Sequence, residues 1–432
     1  MSFFHKISEI FSDKAKDDDC FLALDIGTSN IWAAVFKVNQ QLSENETEQR
    51  AIILGVGNSS LNEREAEKKD FENLVDACFE AKKEAENMAG VQIRRTIIGF
   101  AGQFIKGSSG FEVLERDNPE KPIDLAEIKN SVQKAQWKIF ESIRKNETSE
   151  TGIPETAIRL ISGKVLCSKI DGYKVSNPVG FQGSKLSLNI FNSFAHSFLF
   201  SFLNRLTDSL DIEIISLECQ PYAVAAAVAE KVFKENSISD VSGLLIDCGG
   251  ISTDISYFHQ GIFNGPRTFS VGGAAITRRL ASEFDLSIAE SEEMKIKYSN
   301  GQVSPQVKRK ITNLISADMD IWSNGIAAVM GDLGRGESLP HLILLTGGGS
   351  LLPGIRKILE NSDWQKSAGF IQSVNVRQLN FGDFHNVEDN TNLLSKVPNA
   401  SLPALASAGA ELAKKESDLN FVLNRVIRLM SK

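Results

Sequence analysis

Two stretches of the chain end an apolar run in a carboxylate and follow it with glycine and small hydroxyl residues. The first is FLALDIGTSNIWAAVF (21–36) and the second LLIDCGGISTDISYF (244–258). Asp25 and Asp247 close the runs, Gly27, Gly249 and Gly250 allow close backbone approach, and Thr28, Ser29, Ser252 and Thr253 supply hydroxyls before a second apolar run begins. The N–H groups of such a turn can cradle a phosphate, and a carboxylate at the strand end can hold magnesium through water. One copy reads equally as an ordinary hairpin turn. Two copies half a chain apart can clamp the β- and γ-phosphates of a nucleotide between them. A third stretch, LILLTGGGSLLPGI (342–355), runs a strand into Gly347, Gly348 and Gly349 and then a helix. A flat ring such as that of adenosine can lie against backbone of this kind.

The elements that must carry these turns are legible from spacing. Strands are expected at 96–100, 186–191, 212–217 and 342–345, and helices at 71–89, ending at Gly90, and at 223–233, behind Pro221. The apolar stretch 191–206 is broken by Asn192, His196 and serines, so it reads as a strand followed by a helix and not as a membrane span. Loops are expected at 117–122, 145–154 and 331–340. Alternating strands and helices make an α/β chain, and the repeated turn predicts two related α/β domains facing each other. The segment between the first strand pair and Asn177 is long enough for a small inserted domain.

Composition excludes several functions. The formal net charge is -8 and the pI about 5.4, so the chain lacks a general footprint for nucleic acid. Five cysteines are scattered without a CxxC pair, and five histidines without HExxH, which argues against a disulfide framework and a protein metal site. A reducing cytoplasm fits best. The N-terminal MSFFHKISEIF lacks the apolar region and cleavage site of a signal peptide.

In this order the three motifs resemble the actin, Hsp70 and sugar-kinase superfamily of ATP-binding proteins. SVGGAAIT (270–277) with AESEEMKIKY (289–298) is similar to the second-domain signature of bacterial actins, which implies that Gly272 and Gly273 approach the nucleotide and that Glu292 and Lys295 flank the adenine. NPVGFQG (177–183) and TIIGFAGQFIK (96–106) resemble segments of the FtsA cell-division family, and the chain is identified as a member over residues 21–410. The resemblance implies an actin-like, ribonuclease H-like two-domain fold with a cleft and an inserted 1C-type subdomain. Its parts would be an N-terminal extension (1–20), subdomain 1A (21–93 and 177–240) around 1C (94–176), subdomain 2A (241–273 and 341–410, returning to 1A) around 2B (274–340), and a linker with a C-terminal helix (411–432).

The same resemblance implies ATP and Mg²⁺ as cofactors, self-assembly into filaments, and tethering of the FtsZ division ring, through the FtsZ C-terminal peptide, to the cytoplasmic face of the inner membrane alongside other divisome proteins. Asp25 and Asp247 are assigned to the hydrated Mg²⁺ and Asp254 to support of the second turn. Asn30 stands where the family usually has lysine, and Gln220 where relatives have glutamate before the proline. A neutral amide can orient water in line with a γ-phosphate, so Gln220 is the candidate for water placement in a slow hydrolysis. Glu218 reads as a solvated strand-end carboxylate, and Cys219 and Cys248 as space fillers.

The C-terminal stretch DLNFVLNRVIRLMSK (418–432) has Leu419, Val422, Leu423, Val426, Ile427, Leu429 and Met430 on one arc and Asn424, Arg425, Arg428 and Lys432 on the other, with Phe421 the exception. Such a basic amphipathic helix lies in an anionic membrane surface or packs on the protein body. The resemblance favours the membrane, with Phe421 joining the apolar set. Phe3, Phe4, Ile7, Ile10 and Phe11 form a second helical face, read as a docking helix or a weak anchor. Two alternatives share the fold: a PilM-like scaffold of type IV pilus assembly that would bind a peptide of a membrane partner, and a small-molecule kinase. The kinase would need a general-base aspartate, for which the chain shows no independent motif.

Overall fold

A computed structural model describes residues 20–42, 47–61, 71–100, 104–234, 242–259, 262–333 and 339–413. The chain opens with an antiparallel meander of β1 (Cys20–Ile26), β2 (Asn30–Leu42) and β3 (Thr47–Ser60). Helix α1 (Phe71–Ala89) then crosses over to β4 (Arg95–Phe100), which lies parallel to β1. As the spacing predicts, α1 stops at Gly90, whose left-handed backbone (φ 73°) lets its N–H cap the Glu86 carbonyl.

A separate unit follows. It comprises β5 (Lys106–Glu115), α2 (Leu125–Thr151), β6 (Ile158–Ile170), β7 (Tyr173–Val175) and β8 (Lys185–His196), with sheet order β5-β8-β6-β7. Ile128, Val132 and Ile139 of α2 pack on Leu186, Leu188 and Ile190 of β8, so apolar helix spacing meets alternating strand spacing. The loop expected at 145–154 is instead the end of α2, which runs to Thr151 and is capped by Gly152 (φ 72°). Its charged residues are the exposed face of a helix whose Ile143 and Glu147 point inward. The expected boundary at Asn177 also falls inside this unit, because β8 pairs with both β5 and β6. The NPVGFQG segment is its internal loop: Ile123 N–H donates to the Phe181 carbonyl at 2.8 Å, and the buried Arg116 guanidinium donates to the Gly183 carbonyl at 2.7 Å.

The chain next forms α3 (Phe198–Leu210) and β9 (Glu213–Cys219), which lies beside β4. The helix expected from 223 begins earlier, as α4 (Gln220–Val228), because Pro221 fits the first turn, where its missing N–H loses no bond; a π-helical turn continues to Lys234. The second half then repeats the first. β10 (Gly243–Cys248), β11 (Thr253–His259) and β12 (Ile262–Phe269) form another meander. Helices α5 (Gly273–Phe284), α6 (Ile288–Ser299), α7 (Pro305–Leu314) and α8 (Ser316–Leu333) lead to β13 (Leu342–Thr346), parallel to β10. Of the loop expected at 331–340, residues 331–333 are the last turn of α8 and 334–338 lie outside the described residues.

Short helices α9 (Ile355–Glu360) and α10 (Ser362–Ser367) precede β14 (Asn375–Gln378), the edge of a sheet ordered β12-β11-β10-β13-β14. The chain then returns to the first half, where β15 (Val387–Asp389) pairs with β3 and α11 (Ser401–Ala413) packs Leu402, Leu405, Ala406 and Ala410 into the core. The first sheet is thus ordered β15-β3-β2-β1-β4-β9. One apolar core fills the first half and continues into Leu245, Phe258 and Leu344 of the second, while another lies under α5, α7 and α8. The amphipathic faces expected at 3–11 and 418–432 lie outside the described residues, among which no helix is long and apolar enough to cross a membrane.

Candidate functional site

Asp25 and Asp247 occupy equivalent places. Asp25 is the penultimate residue of β1, opposite Trp32 of β2 and beside Gly99 of β4; Asp247 is the penultimate residue of β10, opposite Asp254 of β11 and beside Thr346 of β13. The turns that follow meet each other. Ile251 N–H approaches Thr28 Oγ1 at 3.4 Å, and a Cβ on Gly250 would collide with the Ser29 hydroxyl, so glycine at 250 lets the halves close. Within the second turn, Gly249 N–H donates to the Ser252 carbonyl at 2.9 Å.

The other expected glycines gather on this turn. Gly273 and Ala274, at the start of α5, donate their N–H groups to the carbonyls of Gly249 (3.0 Å) and Gly250 (2.8 Å), and Gly272 lies against the same two carbonyls. Gly347 adopts φ 82° where a side chain would strike Asp247 Oδ1, while a Cβ on Gly348 would meet nothing within 4 Å. Gly349 packs on the Cys248 carbonyl. Lys295 Nζ reaches the Gly273 carbonyl (3.2 Å), the Thr277 hydroxyl (3.0 Å) and Glu292 (2.7 Å). The Glu–Lys pair therefore sits over the first turn of α5, fastened by Thr277, whose hydroxyl also donates to Glu292 at 2.6 Å.

Burial dominates the electrostatics. It pushes the Asp25 carboxyl up to about 7; Asn399 draws it back, Asp247 raises it again, and Ser401 lowers it slightly. Burial likewise pushes Asp247 up to about 7, with the Asp254 charge adding to it. Asp25 Oδ2 accepts a hydrogen bond from Asn399 Nδ2 at 3.1 Å, but its buried Oδ1 has no hydrogen-bond partner. Among the described residues no three His, Cys, Asp or Glu side chains form a metal cluster. Two mutually repelling carboxylates, one with an orphaned oxygen, suit magnesium, which is typically held by one or two carboxylates together with water and phosphate oxygens.

Several side chains differ from expectation. Thr253 is fully buried: its hydroxyl donates to the Val271 carbonyl at 2.7 Å and accepts from Trp322 Nε1 at 3.1 Å, so it fastens β11 to α8 and is no free phosphate ligand. Glu218 is buried, not solvated, and accepts from Ser216 Oγ at 2.7 Å. Asp254 is held across the sheet by the Thr268 hydroxyl. Gln220 is buried at the first position of α4, close to Gly99, and its amide has no hydrogen bond among the described residues. Asn30 is exposed at the start of β2. Cys219 and Cys248 are buried, and burial pushes both thiols up, in keeping with inert fillers. Sequence reasoning missed Asn399, whose only local signal is a capping residue ahead of a helix: its Oδ1 accepts from Leu402 N–H at 2.9 Å.

The model of the cell division protein FtsA matches residues 244–408. The chain is 23% identical over 366 residues to the cell division protein FtsA of Bacillus subtilis (strain 168), covering 80% of this chain and 77% of that protein. It is 21% identical over 362 residues to the FtsA of Pseudomonas aeruginosa, covering 78% and 80%. Among solved structures, a chain of the PilM-PilN type IV pilus biogenesis complex superposes with a TM-score of 0.60 at 16% identity, over 90% of this chain and 98% of that one. At that identity the likeness carries the fold alone. The motifs, the duplicated sheets and these relatives agree: the chain has the actin-like ATPase fold and is similar to the FtsA cell-division proteins over most of its length.

Proposed function

We propose that the chain binds MgATP in the cleft between its two halves, assembles into filaments, and tethers the FtsZ ring to the cytoplasmic face of the inner membrane. The observation that carries the nucleotide reading is the meeting of two carboxylate-ended turns, with Gly250 against Ser29 and both Asp25 and Asp247 at the junction. In this reading the two carboxylates hold the hydrated cation. The hydroxyls of Thr28, Ser29 and Ser252 and the backbone of Gly27, Gly249 and Gly250 line the phosphate side, with Asn30 at its rim. Gly348 and Gly349, with Gly272, Gly273, Glu292 and Lys295, line the adenosine side. Magnesium, when bound, supplies the positive charge that the family's lysine would otherwise share.

Gln220 is the water-placing group: its buried amide is uncommitted among the described residues, and an amide can hold water without removing its proton. The membrane role rests on the basic amphipathic spacing of Phe421, Val422, Leu423, Arg425, Val426, Ile427, Arg428, Leu429 and Met430 and on the family's division role. The partners that follow are the FtsZ C-terminal peptide, further copies of the chain, anionic lipid and other divisome proteins, with no nucleic acid. Electron microscopy of the full chain with MgATP on an anionic lipid monolayer should show ordered filaments that disappear when residues 418–432 are deleted. Unordered, tail-independent binding would count against the tethering filament.

A further inference from the structure

We infer that Asn399 is a positioning residue for the cation carboxylate Asp25; the inference rests on the MgATP reading of the cleft. The two residues are 374 positions apart, yet Asn399 Nδ2 donates to Asp25 Oδ2 at 3.1 Å while the other end of the same amide, Oδ1, accepts from Leu402 N–H at 2.9 Å. With both ends committed, the amide has one orientation. It occupies one carboxylate oxygen and leaves the other, Oδ1, buried and without a hydrogen bond of good geometry, although the Ser401 hydroxyl also acts on this carboxylate. Asp25 is itself buried and feels the charge of Asp247 from the opposite half, so a hydrated divalent ion held there would find one carboxylate oxygen fixed and the other open to accept.

The residue type matters. A lysine at this place would neutralise Asp25 and compete with the cation, and an aspartate would add a further repelling charge to Asp25, Asp247 and Asp254. An amide orients the carboxylate without cancelling its charge, because it donates a hydrogen bond and carries no net charge.

Two variants separate positioning from helix capping. Asn399→Ser keeps a good capping oxygen but is too short to donate to Asp25, whereas Asn399→Ala loses both functions. For each full-length variant, ATP affinity is measured by calorimetry with Mg²⁺ and again in EDTA, together with the melting temperature of the nucleotide-free protein. The ratio of affinities with and without Mg²⁺ should fall about tenfold in both variants, the size of one hydrogen bond to a charged group. Asn399→Ser should meanwhile melt as the parent does. An unchanged ratio in Asn399→Ser, with parental MgATP binding intact, would make Asn399 a helix cap only and overturn the inference. Absence of MgATP binding by the parent chain would instead bring down the reading of the cleft itself.

Discussion

The two sheets share one wiring, β3-β2-β1-β4-β9 in the first half and β12-β11-β10-β13-β14 in the second, yet they treat their key carboxylates differently. Asp25 faces Trp32 across the hairpin and is steadied by Asn399 from the returning chain. Asp247 faces another acid, Asp254, and has Gly347 pressed against it. A duplicated turn is therefore not a duplicated environment. The first half aims its carboxylate with a neutral donor, while the second concentrates negative charge. In the proposed MgATP cleft these would be one orienting side and one attracting side.

That contrast can be broken at either end. Replacing Asp247 with Ala should weaken MgATP binding by about 100-fold, equivalent to roughly 2.7 kcal/mol, and Asp25→Ala should do the same if the halves share the ion equally. Calorimetry of the two variants side by side tests this, and a large gap between them would place the ion in one half. Thr253→Val probes the wall of the second half. It should lower unfolding free energy by about 1–3 kcal/mol, since the Trp322 N–H and the Val271 carbonyl each lose a buried partner, while MgATP affinity stays within about twofold. Denaturant melts and calorimetry check the pair, and lost affinity with unchanged stability would restore Thr253 as a ligand.

The smallest expected effect is on pH. Both carboxyls move from an ordinary 3.8 to about 7 in the folded protein, so the native state keeps protons that the unfolded chain has already released. Their contribution to stability is fullest below the lower value and declines as pH rises through the upper one. Without Mg²⁺ the protein should melt a few degrees higher at pH 5 than at pH 8, by the usual scaling of melting temperature with free energy. Asp25→Asn and Asp247→Asn should each flatten the slope. Flattening by only one of them would show that one half alone carries the buried charge.

The strands that bear these turns were legible because an apolar run ending in Asp and glycine leaves a local signature. What was not legible depends on partners far away in sequence. The Thr253 hydroxyl looks like its neighbours until Trp322, 69 residues on, claims it. Asn399 is an ordinary capping residue until the chain folds back to Asp25. Glu218 is buried at the end of β9, where the chain's packing and not its local spacing decides exposure. The end of α2 was hidden by charge: between Ile143 and Glu147 the residues are polar, and only the interval of four betrays the helix. NPVGFQG has the look of a boundary because glycine and proline punctuate loops, but β8, which makes it internal, lies beyond it.

The chain's late return to the first half also sets a timetable for its making. Every strand of the second sheet comes from residues 243–378, one continuous length, while the first sheet draws its edge from Val387–Asp389 and its packing helix from Ser401–Ala413. Domains generally fold as units while the chain emerges from the ribosome. The half whose strands come first can therefore finish its core only after residue 413 has been translated, and the half made later is the first able to close.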